Sequence, residues 1–226
     1  MQAGFTEAIQ AATDKLVVEL AVSPGQVLEA QRLRYRMHCH QLGFEAGKDG
    51  LEQDEFDPAS RHVLVRSRLT GAVVGTVRVV LSDTGLDGFP MRRACEARVL
   101  GPLPALSTGE ISRFAVARER PGLSPAAAAL VRLGLIRGIV QISAAHELTH
   151  WCALMDRPLL RLLQATAIHF QPIGPGVAYH GPRQPAQCAI GAMLRQVQLE
   201  QPVVWAYLTG DGTLWSEARS ACRISS

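Results

Sequence analysis

The strand-like segment Ala72–Leu81 carries a single charged residue, Arg78, in a run dominated by valine. Burying a guanidinium without an anionic partner is costly, because the ion loses its hydration. The chain must therefore fold so that carboxylates from elsewhere in the sequence reach this strand. Arg34 imposes the same requirement, since it lies about 60° from the centre of a predicted apolar helix stripe, at about 100° per residue.

Apolar periodicity and turn residues predict the elements around these arginines. The predicted strands are Leu16–Val22, Arg61–Leu69, Ala72–Leu81, Glu110–Arg118, Thr149–Met155, His169–Ile173 and Gln187–Met193. The predicted helices are Ser23 to about Leu42, Ala126–Ile142 and Arg157–Ala167. Ser82–Thr108 is a long Gly- and Pro-rich excursion, and Asp211-Gly212 predicts a hairpin turn. This order predicts the α/β class, an α+β sandwich with a mixed central sheet flanked by helices, in one domain over residues 1–226.

Composition narrows the functional classes. The 226 residues are 47% hydrophobic and 19% charged, which is typical of a folded globular chain, and the formal charge of +3 does not indicate nucleic-acid binding. The longest apolar segment, Ser124–Ala145, is interrupted by Arg132 and Arg137, so we expect no stable membrane insertion. The N-terminus lacks a signal-peptide layout, and the five cysteines are scattered and odd in number. We therefore expect a cytoplasmic protein with reduced thiols.

Carboxylates that could pair with the two arginines follow the first predicted helix directly. The acidic segment Glu45–Asp57, which we predict to be a loop, contains Asp54 and Asp57. Glu110 and Arg113 stand three apart at the start of a predicted strand, where a regular pleat would place them on opposite faces and a β-bulge would bring them together. The cluster has two interpretations, a structural salt-bridge network or a catalytic site, and the residues alone favour the first.

Two further features are ambiguous on sequence grounds. His146-Glu147-Leu148-Thr149-His150 matches the zinc-protease pattern H-E-x-x-H. That pattern needs one continuous helix, whereas here it is predicted to span a helix end and a strand start, so we expect no metal site. Four aromatic residues near the cluster could line an acyl pocket or pack in the core. They are Phe44, Phe114, Trp151 and Phe170.

An ordered set of short blocks resembles the acyl-homoserine-lactone (autoinducer) synthases, which have the GNAT acyltransferase fold. These blocks are Leu33–Met37, Leu42–Phe44, Asp54–Asp57, Gly75–Arg78 and Glu110–Phe114. The later half of the chain is more similar to related N-acyl amino acid synthases and to acyltransferases associated with PEP-CTERM/exosortase systems. The blocks there are Leu159–Leu163, Pro172–Pro175 and Tyr179–Arg183.

The resemblance implies an N-acyltransferase that moves a fatty acyl chain from acyl carrier protein to the amino group of an amino acid or related amine. A close variant would use S-adenosylmethionine and release an autoinducer lactone for quorum sensing. The expected catalytic residues are Glu110 as base, with Arg113, Asp54 and Asp57; Arg34, Arg78, Phe44, Phe114 and Trp151 would contact substrate. No cofactor or metal is expected. The alternatives are a zinc protease and a non-catalytic acyl- or lipid-binding module.

Overall fold

A computed structural model describes residues 7, 9, 13–43, 47–120 and 122–215, with the side chains of residues 125–129 left undescribed. The chain divides into two compact units. The first unit comprises Met1–Arg78 and Arg113–Ile139, and the second comprises Val79–Ser112 and Val140–Ser226. Two of the three divisions fall inside strands and the third inside a helix, so each unit contains part of the same two strands and of the same helix.

The described residues form eight strands. They are β1 (Leu16–Leu20), β2 (Ser60–Ser67), β3 (Val73–Val80), β4 (Thr108–Val116), β5 (His150–Met155), β6 (Gln171–Pro172), β7 (Val177–Ala178) and β8 (Pro182–Ala189). Their order in the sheet is β1-β2-β3-β4-β5-β8-β6, with β7 paired to β8. The β4–β5 pair is parallel, whereas β1–β2, β5–β8 and β6–β8 are antiparallel. The predicted mixed sheet is confirmed.

Six α-helices are described together with one π-helical segment. They are α1 (Pro24–Arg34), the π-helix Tyr35–Gln41, α2 (Ala97–Leu100), α3 (Pro125–Ala145), α4 (Arg157–Gln164), α5 (Ile190–Glu200) and α6 (Pro202–Thr209). Within the residues that the structure describes, none of these helices is long and apolar enough to cross a membrane.

Helix α1 of the first unit begins where the sequence predicts. The Ser23 hydroxyl accepts a hydrogen bond from the Gln26 backbone N–H, the Gln26 side chain accepts from the Ser23 N–H, and Pro24 occupies the first turn. Ala30 and Leu33 are fully buried in the helix face that packs on Leu64 and Val73 of β2 and β3. Because Arg34 directly follows Leu33, it is carried to the same buried side.

The second unit corrects two predictions. The strand expected at Gln187–Met193 is wrong, because β8 ends at Ala189 and Ile190 begins helix α5. The buried side chains of α5 recur with helical spacing, at Ile190, Met193, Leu194 and Val197. The hairpin expected at Asp211-Gly212 is also wrong: these residues form a turn after α6, which Gly210 ends in the left-handed conformation.

Candidate active site

Six charged side chains of the first unit form a closed ring of alternating ion pairs, which we name the charge ring. In order around the ring they are Arg34, Glu52, Arg113, Asp54, Arg78 and Asp57. The Arg113 Nε lies 3.0 Å from Glu52 Oε1, and its Nη2 lies 3.0 Å from Asp54 Oδ2. Arg34 closes the ring by donating to both Glu52 and Asp57. Three positive and three negative charges therefore neutralise one another in one place.

The elements that deliver these side chains explain the ring. Arg34 ends the buried face of α1, and Arg78 lies within β3; both are 0% exposed. The loop that follows the π-helix supplies the three carboxylates. Arg78 donates to Asp54 at 2.6 and 2.7 Å and to Asp57 at 2.9 Å, and it lies over the Phe56 ring. The predicted pairing of the buried arginines with Asp54 and Asp57 is confirmed.

Electrostatics keep the carboxylates of the ring ionised. Burial alone would raise the pKa of Asp57, but hydrogen bonds from Arg34 and the charges of Arg34 and Arg78 outweigh it and lower the pKa to about 2. The pKa values of Glu52 and Asp54 are lowered for the same reason, against the effect of burial. A carboxylate that holds its charge so firmly is a poor proton acceptor. The geometry therefore favours a positioning role for Asp54 and Asp57, and for the arginines that they bind.

His62 on β2 lies beside the ring and was not anticipated from the sequence. It is 3% exposed, and its Nε2 lies 3.8 Å from Asp57 Oδ1. Burial and the charges of Arg34 and Arg78 outweigh the attraction of the carboxylates and lower the pKa of His62 to about 4. The imidazole is therefore neutral near pH 7.

The backbone of β4 departs from a regular strand at Arg113. Its φ is +54°, in the left-handed region that non-glycine residues seldom adopt. Such a conformation interrupts the alternation of side chains along a strand and is one way in which strands bulge. The irregularity lies three residues after Glu110, within the stretch where the sequence analysis considered a bulge.

Glu110 lies in the second unit and is 2% exposed. Its Oε2 accepts a hydrogen bond of 2.9 Å from the backbone N–H of Met91, which the excursion after β3 brings to β4. Cys152 is its partner across β5, and Cys95 follows Met91 by one turn. Burial, followed by the negative charge of Glu110, raises the pKa of both thiols. The excursion thus brings a backbone N–H donor and the Cys95 thiol to this carboxylate, and β5 brings the Cys152 thiol.

Glu110 also marks the place where two parallel strands part. The β4–β5 register runs from Thr108↔His150 to Glu110↔Cys152, only three pairs. β4 continues to Val116, whereas β5 pairs with β8 through all six of its residues. Glu110 is therefore the last residue of β4 that pairs with β5.

The aromatic residues predicted to contact substrate differ in their burial and surroundings. Trp151 is 0% exposed; its indole N–H donates to the Ser143 hydroxyl at 2.7 Å, and Phe170 stacks on it at 6.2 Å between ring centroids. These contacts favour the core-packing alternative for Trp151 over a place in an acyl pocket. Phe114 is half-buried on β4. Phe44 lies outside the described residues.

The H-E-x-x-H pattern is divided between elements, as the sequence predicts. His146 and Glu147 form a turn after α3, with Glu147 at φ +54°, and His150 begins β5. A zinc protease carries both histidines on one helix, one turn apart. Among the described residues, no group of three or more His, Cys, Asp or Glu side chains is placed to hold a metal ion.

Comparison with known proteins shows what this fold is similar to. The family described as acetyltransferase (GNAT) domain matches residues 33–124. FeeM, an N-acyl amino acid synthase from uncultured soil microbes, is similar in structure, with a TM-score of 0.61, 19% identity, and 83% of this chain and 97% of that chain covered. For the acyl-homoserine-lactone synthase LasI the TM-score is 0.60, with 19% identity over 76% of this chain and 88% of that chain.

BjaI, a CoA-dependent acyl-homoserine-lactone synthase, has a TM-score of 0.58 and 15% identity, with 86% of this chain and 99% of that chain covered. No curated protein matches the sequence significantly. The predicted GNAT-like fold is confirmed, and the match of residues 33–124 to the acetyltransferase domain supports the prediction of an acyltransferase. Residues 33–124 thus match the GNAT acetyltransferase domain, and the described chain is similar in fold to the acyl-homoserine-lactone and N-acyl amino acid synthases.

Proposed function

We propose that the protein is an N-acyltransferase that transfers a fatty acyl chain from an acyl carrier protein thioester to the amino group of an amino acid or related amine. The observation that carries the proposal is the buried carboxylate of Glu110 at the end of the β4–β5 pairing, within the matched GNAT domain. Both compact units contain parts of β3 and β4, so we assign residues 1–226 to one acyltransferase domain. We also propose that this domain acts in the cytoplasm.

In the proposed reaction Glu110, directly or through one water molecule, accepts a proton from the ammonium group of the acceptor. The free amine attacks the thioester carbonyl carbon, and a C–N bond forms while the carbonyl oxygen becomes an oxyanion. Backbone N–H groups where β4 departs from regular pairing would stabilise that oxyanion. Collapse of the intermediate breaks the C–S bond, and the leaving thiolate takes up the surplus proton that the amine nitrogen still carries, directly or through water. The products are an amide and a free thiol.

The charge ring supports this reaction as a scaffold. Arg113 belongs to the ring and follows Glu110 by three residues, so the ring restrains the strand that carries the base. The other two arginines of the ring, Arg34 and Arg78, bind Asp57 and Asp54. These contacts fit a positioning role for both arginines. The Phe114 side chain, on the same strand, remains our candidate for contact with the acyl chain.

Acyl carrier protein is acidic, so its docking calls for exposed cations. Arg157 and Arg161 on α4 are both exposed and can meet an acidic partner. The second candidate function is the autoinducer variant, since BjaI has been solved with SAM and isopentyl-CoA and described as CoA-dependent. That variant would release a lactone and methylthioadenosine instead of an acyl amino acid.

The test is incubation of the purified protein with acyl-ACP or acyl-CoA and a panel of amino acids and SAM, with free thiol and products followed by mass spectrometry. We expect thiol release matched by one acyl amide, and a loss of about 10²- to 10⁴-fold in rate for Glu110→Gln. Glu29→Gln is the matched control, because it removes a carboxylate bound to Arg66 near the surface. A folded wild-type protein that is inactive with every donor and amine would refute the proposal.

A further inference from the structure

We propose that Glu52 is a positioning residue of this acyltransferase, which acts by holding Arg113 in the left-handed conformation that shapes β4 after Glu110. The proposal rests on the proposed function and adds a residue that the sequence analysis did not single out.

Glu52 is buried more completely than the other two carboxylates of the ring, at 1% exposure. One carboxylate oxygen accepts from Arg34 Nε and the other from Arg113 Nε at 3.0 Å. Its backbone N–H donates to the Gln31 carbonyl of α1 at 3.3 Å. Both oxygens and the main chain are thus engaged, so the side chain links the end of α1 rigidly to β4.

The residue at the far end of this link carries backbone strain. A non-glycine residue at φ +54° within a strand persists only when its surroundings determine it. The Arg113 guanidinium donates to two carboxylates, from Nε to Glu52 and from Nη2 to Asp54. A planar guanidinium bound at two different nitrogens has a fixed orientation as well as a fixed position. The ring therefore restrains how the chain enters and leaves Arg113.

The order of the ring distinguishes Glu52 from its two neighbours of like charge. Loss of Asp57 or Asp54 would leave Arg78 with one carboxylate fewer, inside an apolar strand. Loss of the Glu52 charge instead opens the ring at Arg113 and leaves the run from Arg34 through Asp57 and Arg78 to Asp54 in place. A substitution at Glu52 therefore leaves both contacts of Arg78 intact and leaves Arg113 and Arg34 with one ring carboxylate each, Asp54 and Asp57.

The first test compares Glu52→Gln with wild type, because glutamine keeps the volume and removes the charge. We expect kcat to fall about 10- to 100-fold, as for a misplaced catalytic group, while KM changes less than about threefold. Hydrogen exchange of the peptide that covers residues 108–116 should increase in the variant. Glu29→Gln, which opens the Arg66 pair of the same unit, should change neither quantity. Should Glu52→Gln not fold, Glu52→Asp serves in its place, with the same expectations.

A second pair of variants separates the backbone from the charge. Arg113→Gly and Arg113→Ala both remove the guanidinium, but only glycine adopts φ +54° without steric cost. We expect Arg113→Gly to retain at least about fivefold more kcat than Arg113→Ala. Equal losses in the two variants, or unchanged kcat and exchange in the Glu52 variant, would overturn the inference. An inactive wild-type protein would refute the proposed function instead, and the exchange measurement would still decide the role of Glu52.

Discussion

Substitution of Asp57 by asparagine tests the electrostatics of the charge ring most directly. Asp57 accepts from Arg34 at 2.6 and 3.1 Å and from Arg78 at 2.9 Å, and its side chain is only 9% exposed. Its pKa of about 2 lies below the ordinary 3.8, so the folded state favours the charged form. A difference of about 1.8 units corresponds to roughly 2.5 kcal/mol of stability at pH 7.

The sign and the pH range follow from that shift. A lowered carboxyl pKa adds stability above the unfolded value and loses it as the pH falls through 3.8 towards 2. At pH 3 about half of the contribution remains. We therefore expect Asp57→Asn to lower the free energy of unfolding by roughly 2.5 kcal/mol or more at pH 7, since it also leaves two arginines short of an anion. The gap to wild type should narrow as the solution is acidified.

Urea unfolding followed by tryptophan fluorescence between pH 7 and pH 3 measures this gap. Glu29→Gln provides the control, because its partner Arg66 is partly exposed and surface pairs contribute at most about 1 kcal/mol. The reasoning would be refuted if Asp57→Asn unfolded at the same urea concentration as wild type at pH 7. It would also be refuted if the gap stayed constant down to pH 3.

Three further predictions concern stability. The His62 pKa of about 4, below the usual 6.5, adds stability above pH 6.5 that is lost as the pH falls towards 4, so wild type should lose about 2 kcal/mol more than His62→Gln between pH 7.5 and 5 in urea titrations. Ser143→Ala should cost about 1–3 kcal/mol by leaving the buried Trp151 N–H unbonded, and Trp151→Phe should abolish that dependence in a double-mutant cycle. Gly75→Ala should lower the free energy of unfolding in urea by about 1–3 kcal/mol, because its Cβ would lie 2.6 Å from a valine methyl of α3, whereas Gly25→Ala should not.

Local signals in the sequence account for the parts that were predicted correctly. The cap and first turn of α1 depend on residues within four positions of Ser23. The apolar residues around Arg34 and Arg78 in the sequence indicate that both arginines are buried. The need for anionic partners then follows from solvation alone. Asp54 and Asp57 were the natural candidates, because a chain leaving the end of α1 can return to Arg34 within one loop.

The missed features depend on longer-range geometry. Several acids precede Asp57 in the loop, and nothing in their spacing shows that Glu52 is the one to be buried against Arg113, 61 residues away. The register of β5 against β8, which places Ala189 opposite His150, decides where the strand ends and α5 begins. A short apolar run such as Gln187–Met193 fits either a strand or a helix until that register is known.

The charge ring is difficult to explain by stability alone. Replacing a buried ion-pair network by apolar residues of similar volume is often neutral or stabilising, because the charges no longer have to be desolvated. Apolar side chains, however, pack without direction, whereas each guanidinium of the ring is oriented by carboxylates at two sides. An apolar substitute could fill the space beneath α1, but it could not hold Arg113 at a left-handed φ inside a strand. The ring is therefore better understood as a means of fixing the path of β4 than as a source of folding energy.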